Sequence, residues 1–268
     1  MSTHLDGVSA LAPMTGFKAV HVTQDGPVLR VLLDPDGTDP TLSTAVVDDL
    51  IALLDALRDR PDVRVLVLAS AGADFCTGAD RTEYLAALSD DPGGPAGLRR
   101  LLDKAQRLCR ALEESHAVTV ARLHGKVIGA GLALAAYCDL RAGADTCRFR
   151  MPEVGLGLPP AWGGAMGRLV SEAGVARIRE LMLTCEVFDA PTAHRLGLLH
   201  RVAPLAELDR VVDGWTRALA RRAPEALVLT KRMLTGYARA DRTADTALLD
   251  AHLLSSHLGT TAAHRPAV

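Results

Sequence analysis

Apolar residues recur at helical spacing over Val46, Val47, Leu50, Leu53, Leu54 and Leu57, which predicts a helix that Arg60-Pro61-Asp62 ends. The run Val63–Ala69 is then almost wholly apolar, interrupted only by Arg64. Such a run suits a strand buried on both faces, as in a parallel sheet. Leu98, Leu101, Leu102, Ala105, Leu108, Cys109 and Leu112 mark a second helix, and Val118–Leu123 follows as another buried strand. A helix between two such strands is a βαβ unit, and several in series imply a parallel sheet with right-handed crossovers. Upstream, Ala19–Thr23 and Val28–Leu33 predict two short strands around the turn Asp25-Gly26-Pro27. Beyond about residue 165 the strand signals almost vanish. The segments 172–183, 190–197, 205–222, 224–238 and 242–257 all read as helices. Residues 1–16 read as a flexible arm, and Ser89–Pro95 as the best loop candidate. The expectation is an α/β core followed by a helical C-terminal region.

Composition narrows the class without naming it. The 268 residues can bury a full core as one large domain or two small ones. Apolar residues make up 49% and charged residues 23%, with a net charge of −2, so no basic excess points to nucleic acid or an anionic membrane. The five cysteines are scattered and form no Cys-x-x-Cys pair, which argues against a disulfide framework or a zinc site and suits a reducing, cytoplasmic setting. The first sixteen residues lack a basic region followed by an apolar stretch, so no signal peptide is expected there. The longest uncharged, mainly apolar run, Val127–Cys138, is too short to span a bilayer.

Candidate chemistry lies in two glycine-containing turns. Ala73-Asp74-Phe75-Cys76-Thr77-Gly78-Ala79-Asp80 follows the first buried strand, and Gly125-Lys126-Val127-Ile128-Gly129-Ala130-Gly131 follows the second. Both lie at the carboxyl ends of parallel strands, where open α/β folds place ligands. Small residues let the backbone approach a ligand closely, and a helix N-terminus leaves N–H groups unpaired. Two such turns facing each other can aim two N–H groups at one carbonyl oxygen, which is an oxyanion hole.

The segment Phe75–Asp80 resembles the F-C-A-G-A-D of the crotonase (enoyl-CoA hydratase/isomerase) family. His124–Asp139 resembles its H-G-x-x-x-G-G-G-x-E-L-A-x-x-C-D, and Phe149–Gly157 its F-x-x-P-E-x-x-x-G. Pro160, Gly163 and Gly164, then Leu183-Thr184, Ala193, Leu196-Gly197-Leu198 and Arg201-Val202, continue the resemblance in order. It implies a crotonase-like spiral of ββα units over 17–200 holding an acyl thioester site. A helical region, 201–268, is implied for oligomer packing as a homotrimer or homohexamer. The substrate implied is acyl-CoA, or an acyl carrier protein-borne thioester, with no cofactor beyond coenzyme A as part of the substrate and no metal.

The resemblance places the two oxyanion-hole N–H donors on Ala79 and Ala130 and one carboxylate on Glu153. Cys76, Gly78, Asp80, Arg81, Gly129, Ala133 and Trp162 fall at substrate- or CoA-binding positions. Hydratases of the family use two glutamates; the first falls on Ala133 here. Hydration needs a water held for the β-carbon, whereas a single carboxylate suffices to move a proton from one carbon to another. The pattern therefore resembles an enoyl-CoA double-bond isomerase with Glu153 as its base. A hydratase, a decarboxylase and a non-catalytic acyl-CoA-binding scaffold are the alternatives. Asp80 also suits a cap for the helix after it, Asp139 and Lys231 suit structural roles, and Trp162 and Met166 suit packing as well as an acyl pocket. Tyr84 is within reach of the site, and His252 and His257 lie on the last expected helix.

Overall fold

The computed structural model describes residues 16–89 and 95–240. A hairpin of β1 (His21–Asp25) and β2 (Val28–Leu32) opens the fold and turns at Gly26-Pro27. Next come β3 (Thr41–Leu42), α1 (Thr44–Leu57), β4 (Val65–Ala69), β5 (Gly78–Ala79), α2 (Arg81–Ser89) and α3 (Pro95–Glu114). They are followed by β6 (Val118–Leu123), β7 (Lys126–Ile128), α4 (Ala130–Ala136), β8 (Leu140–Ala144) and β9 (Arg148–Arg150). Beyond 3-10 turns at Val154–Leu156 and Trp162–Gly164 lie α5 (Ala165–Ala173), α6 (Val175–Thr184), β10 (Phe188–Asp189) and α7 (Ala190–Arg195). The last are β11 (Arg201–Ala203), α8 (Leu208–Ala220) and α9 (Pro224–Ala240).

Six strands form the main sheet in the order β1-β2-β4-β6-β8-β11. Only β1 runs antiparallel to its neighbour. Strands β2, β4, β6 and β8 stand side by side in chain order, and each is followed by a short strand in a second layer. That layer pairs β3 with β5 and sets β7 and β10 on either side of β9. A bridge between Cys76 and Val127 links the two pieces. This is the expected spiral of ββα units. Every residue of β4 is buried, as its unbroken apolar run requires. Helix α1 starts where Ser43 accepts the N–H of Val46 at 3.3 Å, and it turns Val46, Leu50, Leu53, Leu54 and Leu57 into the core.

Two expectations need correction. Strands do not end near residue 165: β11 completes the main sheet beside β8, and β10 extends the second layer. Each spans three residues or fewer, too short for a period to show. The helix expected over 172–183 is instead the pair α5 and α6, separated at Gly174 with φ 83°. The expected N-terminal arm, most of the loop after Ser89, the helix over 242–257 and both of its histidines lie outside the described residues, apart from Gly16 at the arm's end. Among the described residues no helix is long and apolar enough to cross a membrane.

Buried charges tie the C-terminal half to the sheet. Arg141, on β8, donates to the carbonyls of Ala136, Cys138, Gly197 and Leu198 and pairs with Glu172 on α5. Lys231, on α9, donates to the carbonyls of Leu112 and Ala117 and pairs with Asp139 at 2.7 Å. Asp139 also accepts from the N–H and hydroxyl of Thr119. Both residues are therefore structural, as expected.

His200 accepts the N–H of Arg141 at 3.1 Å through Nδ1. Burial, then the charge of Arg141, push its imidazole down from 6.5 to about 4. The unfolded chain thus binds a proton that the folded chain refuses between those values, and stability from this group falls as pH drops through that window. His200→Asn keeps an acceptor but does not titrate, so its melting temperature is expected to fall less than wild type's between pH 6.5 and 5. Equal slopes in a thermal melt series would show that His200 carries none of the dependence.

Candidate active site

The two glycine-containing turns are joined along their backbones. The N–H of Phe75 donates to His124 O at 2.9 Å, that of Cys76 to Lys126 O at 3.1 Å, and that of Ile128 to Cys76 O at 2.9 Å. Asp74 accepts the N–H of Lys126 at 2.8 Å. His124 donates from Nε2 to Gly72 O at 2.7 Å, while its Nδ1 accepts from Arg122. That pattern requires the neutral imidazole with its proton on Nε2. Helix α4 presses onto the first turn so closely that a Cβ on Gly131 would lie 2.6 Å from the Cβ of Cys76 and 2.8 Å from its carbonyl oxygen. No larger residue fits there. β5, which ends at Ala79, packs against α4, which starts at Ala130.

Ala130 is the first residue of α4. The opening N–H groups of a helix have no intrahelical partner, and Gly129 has no side chain to cap them. Their dipoles point out of the helix toward any carbonyl placed there. Gly129 itself has φ 51° and ψ −114°, a conformation closed to other residues, and its N–H donates to Arg150 O at 2.9 Å.

Glu153 meets this turn. Its Oε1 lies 2.9 Å from the place a Cβ on Gly129 would occupy. It stands at the start of the 3-10 turn Val154–Leu156, half-buried, and burial raises its carboxyl above the usual value. Tyr84, on α2, is close enough that the Glu153 charge adds to the burial raising its hydroxyl. Tyr84 also packs against Leu98, Leu102 and Ala161, and with Leu42, Asp80 and Trp162 it lines a cavity of about 20 Å³, space for a single water.

The remaining expected positions sort by use. Asp80 caps α2, its Oδ1 accepting the N–H of Thr82 at 2.7 Å and of Glu83 at 3.2 Å. Arg81 is exposed at the start of that helix. Cys76 is buried, its Sγ accepts the N–H of Gly78 at 3.4 Å, and burial pushes its thiol up to about 12, which removes it as a nucleophile. Ala133 lies buried one turn into α4, where its N–H donates to Gly129 O. Its methyl group brings no acid or base. Trp162 is half-buried against the core, while Met166 is exposed on α5. Two residues that sequence reasoning passed over, Arg150 and Cys185, tie the segment around Glu153 to the end of α6: Arg150 Nε donates to the Cys185 carbonyl, and the N–H of Gly155 donates to Cys185 Sγ. No spacing signal marks them.

The sequence matches the enoyl-CoA hydratase/isomerase family over residues 26–264. It is 30% identical over 231 residues to the peroxisomal Δ(3,5)-Δ(2,4)-dienoyl-CoA isomerase of Arabidopsis thaliana, covering 82% of this chain and 83% of that one. It is 26% identical over 230 residues to the short-chain-enoyl-CoA hydratase of Clostridium acetobutylicum, covering 85% of each. Among solved structures, a Thermobifida fusca YX protein in complex with CoA is similar with TM-score 0.75 and 30% identity, over 91% of this chain and 95% of that one. The chain belongs to the enoyl-CoA hydratase/isomerase family of the crotonase superfamily, and it is an enzyme of that family.

The fit at Gly129 generates a test. Gly129→Ala would force a Cβ against the Glu153 carboxylate in a backbone conformation that alanine avoids. Acyl-CoA turnover is expected to fall roughly 100-fold, with a stability loss of about 1–3 kcal/mol in a denaturant titration. Turnover unchanged from wild type would show that the contact of Glu153 with this turn is dispensable.

Proposed function

We propose that this enzyme is an enoyl-CoA double-bond isomerase with Glu153 as its single carboxylate base. One observation carries the proposal: a half-buried carboxyl with a raised pKa stands against the Gly129–Ala130 turn, while the place of a second carboxylate holds Ala133. The N–H groups of Ala79 and Ala130 donate to the thioester carbonyl oxygen. That stabilises the enolate formed when Glu153 takes a proton from the α-carbon. The same carboxyl then returns the proton to the γ-carbon, and the double bond moves from β,γ to α,β. A raised pKa suits both steps, because the base must also act as the acid. One donor of this kind is worth about 3 kcal/mol, and a placed base roughly 10²–10⁴-fold.

Cys76, Gly78, Asp80, Arg81 and Gly129 contribute to the thioester and CoA cradle in this proposal, and Trp162 and Ala133 to the acyl side. The Thermobifida fusca YX structure in complex with CoA supports acyl-CoA as substrate. The homotrimer or homohexamer is proposed to form through the C-terminal region, where α9 leaves Leu229, Met233, Leu234 and Tyr237 exposed among the described residues. A hydratase is the second reading, since the Clostridium acetobutylicum relative is named as one.

The test uses deuterated water, a short 3-enoyl-CoA and, separately, a 2-enoyl-CoA. The expected outcome is conversion of the 3-enoyl substrate with little 3-hydroxyacyl product. Glu153→Gln is expected to lower that rate roughly 10²–10⁴-fold. Because burial raises the Glu153 carboxyl, the base form is lost at a higher pH than for an ordinary glutamate as pH falls, and kcat falls with it. Efficient hydration of the 2-enoyl substrate, or a fully active Glu153→Gln enzyme, would overturn the proposal.

A further inference from the structure

Glu153 sits in a short loop, and residues on both sides of it are tied to Cys185. On the upstream side Arg150 ends β9. Its carbonyl accepts the N–H of Gly129, and its Nε donates to the carbonyl of Cys185 at 2.8 Å. On the downstream side, the N–H of Gly155 donates to Cys185 Sγ at 3.1 Å. The thiol lies 3.5 Å from Met182 O in the last turn of α6 and donates to it. Six residues of chain, from Arg150 to Gly155, are thus held at both ends by one residue just past a helix.

The backbone of Cys185 makes the choice of residue informative. It has φ 54° and ψ 28°, and among the described residues it is the one non-glycine with positive φ. A left-handed residue directly after a helix is normally glycine, which adopts it without a steric cost. Glycine would relax this backbone but would leave the N–H of Gly155 without the sulfur. Strained positions persist where the surroundings over-determine them, and they cluster at sites that need a fixed geometry. The 3-10 turn at Val154–Leu156 packs against α6, so the clamp joins the Glu153 loop to a whole helix.

We propose that Cys185, with Arg150, is a positioning residue that holds Glu153 against the Gly129–Ala130 turn. This rests on Glu153 being the base. The thiol touches no reacting atom; it acts by fixing the loop on which the carboxylate stands. Alignment of this kind matters because a small misplacement of a catalytic group costs far more rate than binding.

The test compares Cys185→Gly, Cys185→Ser and Glu153→Gln with the wild-type enzyme. The readouts are kcat, KM, the acidic limb of kcat against pH on a short 3-enoyl-CoA, thermal melting, and amide hydrogen exchange of peptides spanning 150–158. Cys185→Gly is expected to melt no lower than wild type, since it relieves the backbone. Its kcat is expected to fall roughly 10- to 100-fold, with KM within about twofold. Its acidic limb moves, and exchange over 150–158 quickens. Cys185→Ser, which keeps an acceptor, recovers part of kcat. Wild-type kcat and pH limb in Cys185→Gly, beside an inactive Glu153→Gln, would overturn the clamp while leaving the base in place. A fully active Glu153→Gln would overturn the base reading and the clamp with it. If the wild type turns over no enoyl-CoA, the exchange data decide: unchanged exchange over 150–158 in Cys185→Gly overturns the clamp, and faster exchange supports it.

Discussion

The candidate site depends on a short parallel strip of backbone in which Phe75 and Cys76 pair with His124, Lys126 and Ile128. Residues about fifty apart in sequence become neighbours there, and the two turns inherit a fixed spacing. Each such hydrogen bond is worth only about 1 kcal/mol net. Their value is geometric, because together with the close fit of Gly131 on Cys76 they hold the first turn against the start of α4. Side chains reinforce the strip from outside: Asp74 takes the Lys126 N–H, and the neutral imidazole of His124 holds Gly72. The main sheet supplies the rigid base, since β4 and β6 deliver the two turns from adjacent positions.

Around this strip, buried charges do what apolar contacts cannot. Arg141 serves four carbonyls and Glu172 at once, which fixes α4, α5 and the approach to β11 relative to one another. Lys231 joins α9 to the end of α3 and to Asp139. Apolar surfaces slide and re-pack, whereas a buried guanidinium or ammonium stripped of partners is expensive. These residues therefore set a register for the C-terminal helices more than they add stability.

The sequence shows much of this and hides the rest for physical reasons. Strand β6 is legible from end to end because Val118–Leu123 is a buried run broken only by the partly buried Arg122. Strand β8 is not, because Leu140-Arg141-Ala142-Gly143-Ala144 combines residues of low strand propensity with a buried arginine that pattern reasoning treats as surface. Helices α5 and α6 merge in a periodicity scan, since one glycine between them hardly disturbs the apolar stripe. At the site, Ala79, Ala130 and Glu153 are found through motifs, not through period or composition. Asp80 is legible as a cap because its offset from Glu83 is local. Arg150 and Cys185 stay hidden: a contact between a strand end and a helix end thirty-five positions apart leaves no local trace.

All five cysteine thiols are free and buried. They come from separate parts of the fold: the first glycine-containing turn, α3, the end of α4, the approach to β9 and the end of α6. A thiol reagent therefore meets them only when the surrounding structure opens. Read one cysteine at a time by mass spectrometry, slow alkylation becomes a set of clocks built into the native chain, each timing the breathing of a different region without any engineered probe.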